Sequence, residues 1–241
     1  MKHAKRHPLI FGTIILTATG LITRVIGFFY RIYLSRLFGE EGMGIYQLLS
    51  PALSLSFSLT AAGYQTAISK YVAADSAKRP SGNLKPLLAG ISITLPLSLV
   101  TNAILFFSAD PIGIFLLKDH RTVPMLRILS FSVPFAALHA CINGYFYGKK
   151  KASVPALTQL LEQLARVSCV FLVTGADLSE GRTPSINAAV LGLTVGEIFS
   201  MLIALVCLYI HLYPDSSILS LQNICPSVPV YRDLLGMALP L

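Results

Sequence analysis

Two arginines, Arg24 and Arg31, stand inside an apolar run from Leu9 to Phe38 that otherwise reads as a membrane-crossing helix. A guanidinium near the centre of a bilayer is costly, so such residues turn toward a protein interior or a wet cavity. At about 100° per residue, Thr13, Thr17, Gly20, Arg24, Gly27 and Arg31 share roughly one third of the helix circumference. That makes one stripe of hydroxyls, bare backbone and two cations, with Leu, Ile, Phe and Val covering the remainder. Guanidinium forks bind anionic oxygens bidentately, and reduced dielectric strengthens the attraction. The chemistry on offer is capture of an anion at membrane depth. Snorkelling to an interface suits Arg31 and Arg36 near the end of the run, but Arg24 lies too deep for it.

Other intramembrane polar groups extend the picture. In the second apolar run Gln47, Ser50, Ser54, Ser58, Ala61, Gln65 and Ser69 recur at helical spacing, a stripe that serves either cavity lining or close helix packing. Glu162 and Arg166 are i and i+4 on a helix beside Gln159 and Gln163, and read as an intramembrane ion pair or a coupling element. Glu197, between Gly196 and an apolar run, has no sequence-local partner, and faces Arg24 or Arg166 across the bundle or titrates alone. Gly192 and Gly196 suit close helix approach, as do Gly144 and Gly148. His139 is the one histidine well inside a span and reads as a satisfied core residue or a cavity-lining donor. The four cysteines have no metal or redox spacing and read as packing residues. No nucleophile–base constellation, phosphate-binding loop or metal signature occurs, so no catalytic residue, metal ligand or cofactor is expected.

Positioning these groups requires membrane helices. Of 241 residues 54% are hydrophobic and 12% charged, mean hydropathy is +0.68, and the apolar residues come in long runs. Spans of roughly 20 residues fit Leu9 to Phe38, Ile45 to Val72, Leu87 to Phe107, Val123 to Tyr147, Val154 to Thr174 and Ile186 to Leu212. A seventh begins at Leu234. The basic start Met1 to Pro8 could open a signal peptide, but there is no small-residue cleavage site and five further spans follow, so a retained first helix is the simpler reading. Lys2, Lys5, Arg6, Lys70, Lys78, Arg79, Lys85, Lys149, Lys150, Lys151 and Arg232 fall on one side, against Lys118, Arg121 and Arg182 on the other, which predicts that both termini are cytoplasmic. The net charge of +8 then faces anionic lipid rather than nucleic acid.

Thr23-Arg24-Val25-Ile26-Gly27-Phe28, Phe38-Gly39, Gly42-Met43-Gly44-Ile45-Tyr46-Gln47, Gly63 through Thr66-Ala67-Ile68-Ser69-Lys70, Gly144-Tyr145-Phe146-Tyr147-Gly148 and Glu162-Gln163-Leu164-Ala165-Arg166-Val167 resemble the stage V sporulation protein B branch of the polysaccharide exporters. That branch lies within the multidrug, oligosaccharidyl-lipid and polysaccharide exporter superfamily, and is related to the lipid II flippase of peptidoglycan synthesis. The resemblance covers the whole chain. It implies an all-α, polytopic membrane helix bundle: one six-helix lobe of a MATE-like fold plus the start of a seventh helix. Residues 1–213 would be the amino-terminal lobe, and 214–241 an inter-lobe cytoplasmic loop with the truncated seventh helix.

The function so implied is export or flipping, in a bacterial plasma membrane, of an undecaprenyl-pyrophosphate-linked oligosaccharide or peptidoglycan precursor for cell wall or spore cortex, with no covalent step. Arginines of the first helix hold the pyrophosphate in those flippases, which implies headgroup binding by Arg24 and Arg31, with Thr17, Gly20, Gly27, Gln47, Ser54 and Ser58 lining the cavity. Six residues separate the arginine pair here rather than five, and the second-helix arginine of those flippases has no match, since Ser54 to Ala62 is uncharged. The partners expected are the bilayer, the lipid-linked sugar, and a separate carboxyl-terminal half or a second copy, the chain ending where the family's seventh helix opens. Two other functions stay open: a cation-coupled multidrug exporter, with Glu197 as the loose acidic candidate, and a non-transporting membrane assembly factor.

Overall fold

The structure, a computed structural model, describes residues 7–78, 84–213 and 228–238. The basic stretch Met1 to Arg6, Arg79, the loop 214–227 with Cys225, and Leu239 to Leu241 lie outside the described residues. Those described are helical almost throughout, and no strand occurs among them.

Helix α1 (His7–Leu48) is the longest, and its geometry breaks at Gly39, where φ is 71° and ψ −177°. A left-handed φ of this kind is open to glycine at little steric cost. Beyond it follow α2 (Ser50–Phe57), a π turn over Ser58–Ala62 and α3 (Gly63–Lys78). The first two expected spans thus form one apolar helical stretch, Gly12–Ser76, of 65 residues. At roughly 20 residues per crossing that is enough for two spans. The next helices are α4 (Lys85–Phe107) and the single turn α5 (Ala109–Pro111), which leads into a π turn. The expected fourth span is interrupted at Phe131, between α6 (Thr122–Ser130) and α7 (Ser132–Gly148). Pro134 has no N–H to give the Ser130 carbonyl, and the Ser130 and Ser132 hydroxyls bond back to Arg127 and Leu129 carbonyls at 2.7 Å each. Helices α8 (Ser153–Ser179), α9 (Asn187–Leu212) and α10 (Val228–Ala238) complete the chain. The last starts six residues before Leu234, where hydropathy placed it.

Five stretches are long and apolar enough to cross a membrane, and their surfaces carry exposed Leu, Ile, Phe and Val as a lipid-facing bundle would. Helix α8 packs along α9, α1 lies on α8, and α7 sits among α3, α4 and α9. One core gathers Ile68, Leu87, Ile142, Tyr145 and Phe146, and α10 joins it through the fully buried Leu234. A second forms around Met125, Leu126 and Leu129 of α6. A third, Tyr30, Leu34, Val170 and Ala189, fixes α1 to α8 and α9, and there the Tyr33 ring stacks on Phe171 and its hydroxyl meets the Thr174 Oγ1 at 2.8 Å.

Candidate functional site

With Tyr30 and Leu34 of α1 buried against α8, the neighbouring stripe of α1 is left facing a recess. That recess is an open cavity of about 700 Å³ between α1, α2, α6, α8 and α9. Arg24, Gly27 and Arg31 line it together with Gln47, Ser50 and Ser54. From α8 come Gln159, Glu162, Gln163 and Arg166. Among the described residues neither Arg24 nor Arg31 has a carboxylate partner, and both side chains are exposed. The Arg166 guanidinium donates to Glu162 Oε1 at 2.5 Å. Three guanidiniums against one carboxylate give the cavity a cationic wall. Its other groups are amides and hydroxyls, which donate to anions and accept from sugars alike.

Of the expected lining residues, Arg24, Arg31, Gly27, Gln47 and Ser54 reach this cavity, and Thr17, Gly20 and Ser58 do not. Thr17 and Gly20 continue the α1 stripe beyond the cavity: Thr17 is exposed, and a Cβ on Gly20 would meet nothing within 4 Å. Ser58 opens the π turn. A turn with i→i+5 bonding carries an extra residue, and this rotates the polar stripe of the second span off the cavity. Above the π turn Gln47, Ser50 and Ser54 line the recess. Below it the stripe packs: a Cβ on Gly144 would come 2.6 Å from the Gln65 carbonyl oxygen, and one on Gly148 2.8 Å from that of Ser69. Gln47, Ser50 and Ser54 thus line the cavity, Ala61, Gln65 and Ser69 lie on the packing side, and Ser58 between them is exposed.

The glycines of α9 position the charged end of the wall. A Cβ on Gly196 would lie 3.1 Å from the Glu162 carbonyl oxygen and 3.3 Å from Arg166 Cβ, and one on Gly192 would meet Val170 and the Arg166 carbonyl oxygen. Bare backbone here lets α8 and α9 approach closely, and it brings Glu197 up behind Glu162. Glu197 does not line the large cavity. It borders a crevice of about 30 Å³ beside Ser56, Thr60 and Ser132, and its Oε2 is 3.6 Å from His139 Nδ1. Neither arginine named as its alternative facing group is paired with it. His139 Nε2 lies 2.6 Å from Asn143 Nδ2 and 2.9 Å from Ser200 Oγ, so hydrogen bonds hold the ring with Nδ1 toward Glu197. Oxygen and nitrogen atoms of His139, Glu162 and Glu197 all lie within 4.8 Å of one another.

Tyr30 and Tyr46 also line the cavity, and the Tyr30 hydroxyl is buried without a hydrogen-bond partner. Both fall off the arginine stripe in sequence. Only the break at Gly39, which sends residues 40–48 across the recess, brings Tyr46 and Gln47 to the wall. Cys141 is buried beside the Thr94 hydroxyl at 3.2 Å, and Cys169 and Cys207 are likewise free thiols.

An all-helical membrane bundle with a cationic recess among its spans is the class of protein that these features define. The chain belongs to the polysaccharide biosynthesis protein family, which it matches over residues 9–230. It is 34% identical over 230 residues to the stage V sporulation protein B of Bacillus subtilis (strain 168), an alignment covering 95% of this chain and 44% of that protein. To the lipid II flippase MurJ of the same organism it is 27% identical over 179 residues, 70% of this chain and 32% of that one. The chain spans less than half the length of these two relatives. Among solved structures, a MOP superfamily transporter from Pyrococcus furiosus Vc1 (DSM3638), described as having a binding pocket of reverse polarity, superposes with a TM-score of 0.71 at 16% identity, over 96% of this chain and 50% of that one. At that identity the likeness speaks for the fold alone.

Proposed function

We propose that this chain forms the amino-terminal lobe of a bacterial plasma-membrane flippase, whose cargo is a lipid-linked oligosaccharide or peptidoglycan precursor with a pyrophosphate headgroup. The observation that carries the reading is the cavity wall in which Arg24 and Arg31, two turns apart and without acidic partners among the described residues, stand opposite the amides of Gln159 and Gln163. A pyrophosphate offers several anionic oxygens to two guanidinium forks. The amides and hydroxyls suit the attached sugar, and the polyprenyl tail stays in lipid. The name of one Bacillus relative, lipid II flippase, agrees with this cargo. In this reading residues 1–213 are one lobe, residues 214–241 lead toward a second, both termini are cytoplasmic, and the work is translocation rather than catalysis. A cation-coupled multidrug exporter, which would call for an acidic, cation-binding cavity, fits less well, because the wall carries three guanidiniums against one carboxylate.

The test is binding of inorganic pyrophosphate to the purified chain in lipid nanodiscs. Loss of one charge-assisted pair costs about 1.5–3 kcal/mol, so Arg24→Glu is expected to weaken binding by about tenfold or more, with Arg24→Lys between it and the native chain. Equal affinity in native protein and Arg24→Glu would remove the headgroup role.

A further inference from the structure

The cavity and the charged cluster behind it share one side chain. Glu162 lines the cavity and is held by Arg166, while its back faces Glu197 and His139. Two carboxylates so close, away from bulk water, do not both stay charged unless a cation compensates them. Arg166 compensates Glu162. Yet Arg166 itself belongs to the cavity wall, and its Nε is buried with no hydrogen-bond partner. One donor of the guanidinium is therefore unsatisfied, and a shift of the side chain toward an anion in the cavity would give it a partner. Such an anion competes with Glu162 for the same charge.

We propose that Glu162 and Glu197 form a proton-binding site coupled to the cavity: an anion that draws Arg166 away from Glu162 leaves the two carboxylates facing each other, and the pair takes up one proton. This rests on the anion-binding reading of the cavity. In the step the Arg166 N–H to Glu162 hydrogen bond is exchanged for one to the anion, and a proton from water bonds to one carboxylate oxygen and is shared with the other. The groups around the pair are few. Helix α7 presents His139, α8 presents Arg166, and α9 carries Glu197, while α1 contributes Arg24, Arg31, Tyr30 and Tyr46 across the cavity. The α2 side offers only the Ser50 and Ser54 hydroxyls to the cavity. The crevice of about 30 Å³ that borders Glu197 has room for one water, enough to deliver the proton. A metal ion is poorly served here, because the Arg166 cation sits on Glu162.

Anion binding and proton uptake are then one linked equilibrium, and anion affinity rises as pH falls, by up to about tenfold per pH unit for one proton. The probe is inorganic sulfate, whose own charge does not change near neutral pH, bound to the full chain in sodium-free nanodiscs. Titration calorimetry in two buffers of different ionisation enthalpy counts the protons. Close to one proton per sulfate is expected for the native chain, and none for Glu162→Gln or Glu197→Gln. The second variant leaves the Arg166 partner in place, so it carries the test should the first fail to fold. Sulfate binding with a buffer-independent enthalpy overturns the coupling while leaving the anion site intact. Full proton uptake in both variants overturns it too, as does an affinity that follows sodium instead of pH. Failure of the native chain to bind either sulfate or pyrophosphate overturns the cavity reading itself.

Discussion

Arg24, Arg31 and Arg166 differ in what balances them, and this sets what each does when an anion arrives. Arg166 has Glu162 at 2.5 Å, whereas no carboxylate pairs with the other two among the described residues. Removing the acid should therefore strengthen anion capture: Glu162→Ala is expected to raise pyrophosphate affinity several-fold, the reverse of Arg24→Glu, by the same calorimetry. Arg166→Ala instead leaves Glu162 uncompensated beside Glu197. The pair is partly exposed to the cavity, so this variant should show a Tm below that of the native chain in nanodiscs, by an amount that shrinks as pH falls and the carboxylates take up a proton. Outside the spans, Arg121 bridges Glu41 at 2.7 Å and Asp119 at 3.0 Å, and its hydrogen bonds hold the Asp119 carboxyl below the usual carboxylate range. Exposed pairs of this kind are worth about 0–1 kcal/mol. Glu41→Ala should leave Tm almost unchanged.

At the scale of elements, close approach of α8 and α9 decides the site. Valine at 192 or leucine at 196 would push backbone against backbone at Arg166 and Glu162, and overpacking costs about 1–3 kcal/mol. Gly192→Val is expected to lower Tm and to weaken pyrophosphate binding together, because the shift displaces Arg166. Leu234 is fully buried where α10 packs on α3 and α4. In lipid the transfer term is small and lost packing remains, so Leu234→Ala should cost about 1–3 kcal/mol, read as a lower Tm with anion affinity kept. The polar stripe of the second span was legible in the sequence as a regular period. Its division between lining and packing was not, since the π turn that rotates it has no marker in Ser58–Ala62 beyond small residues.

For the whole molecule, the long apolar runs and the scarcity of charge dictated a polytopic helix bundle, because lipid leaves the backbone no partners except its own. The lysine and arginine bias predicts the orientation, and labelling of single cysteines placed at Lys149 and at Arg182 by a membrane-impermeant thiol reagent, in a background lacking the native cysteines, should find the first from the cytoplasm and the second from outside. Helical periodicity also marked Arg24, Gly27 and Arg31 as one face and Glu162 with Arg166 as a pair, since both relations hold within a single helix. What periodicity has no access to is the relation between helices. The gathering of Arg166 with the α1 arginines, the meeting of Glu162, Glu197 and His139 from three helices, and the withdrawal of Thr17, Gly20 and Ser58 from the cavity were settled by packing alone. Residues far apart in the chain meet only where bare glycine backbones, a break at Gly39 and an extra residue in a π turn bring their helices together, and those distances are properties of the assembled bundle.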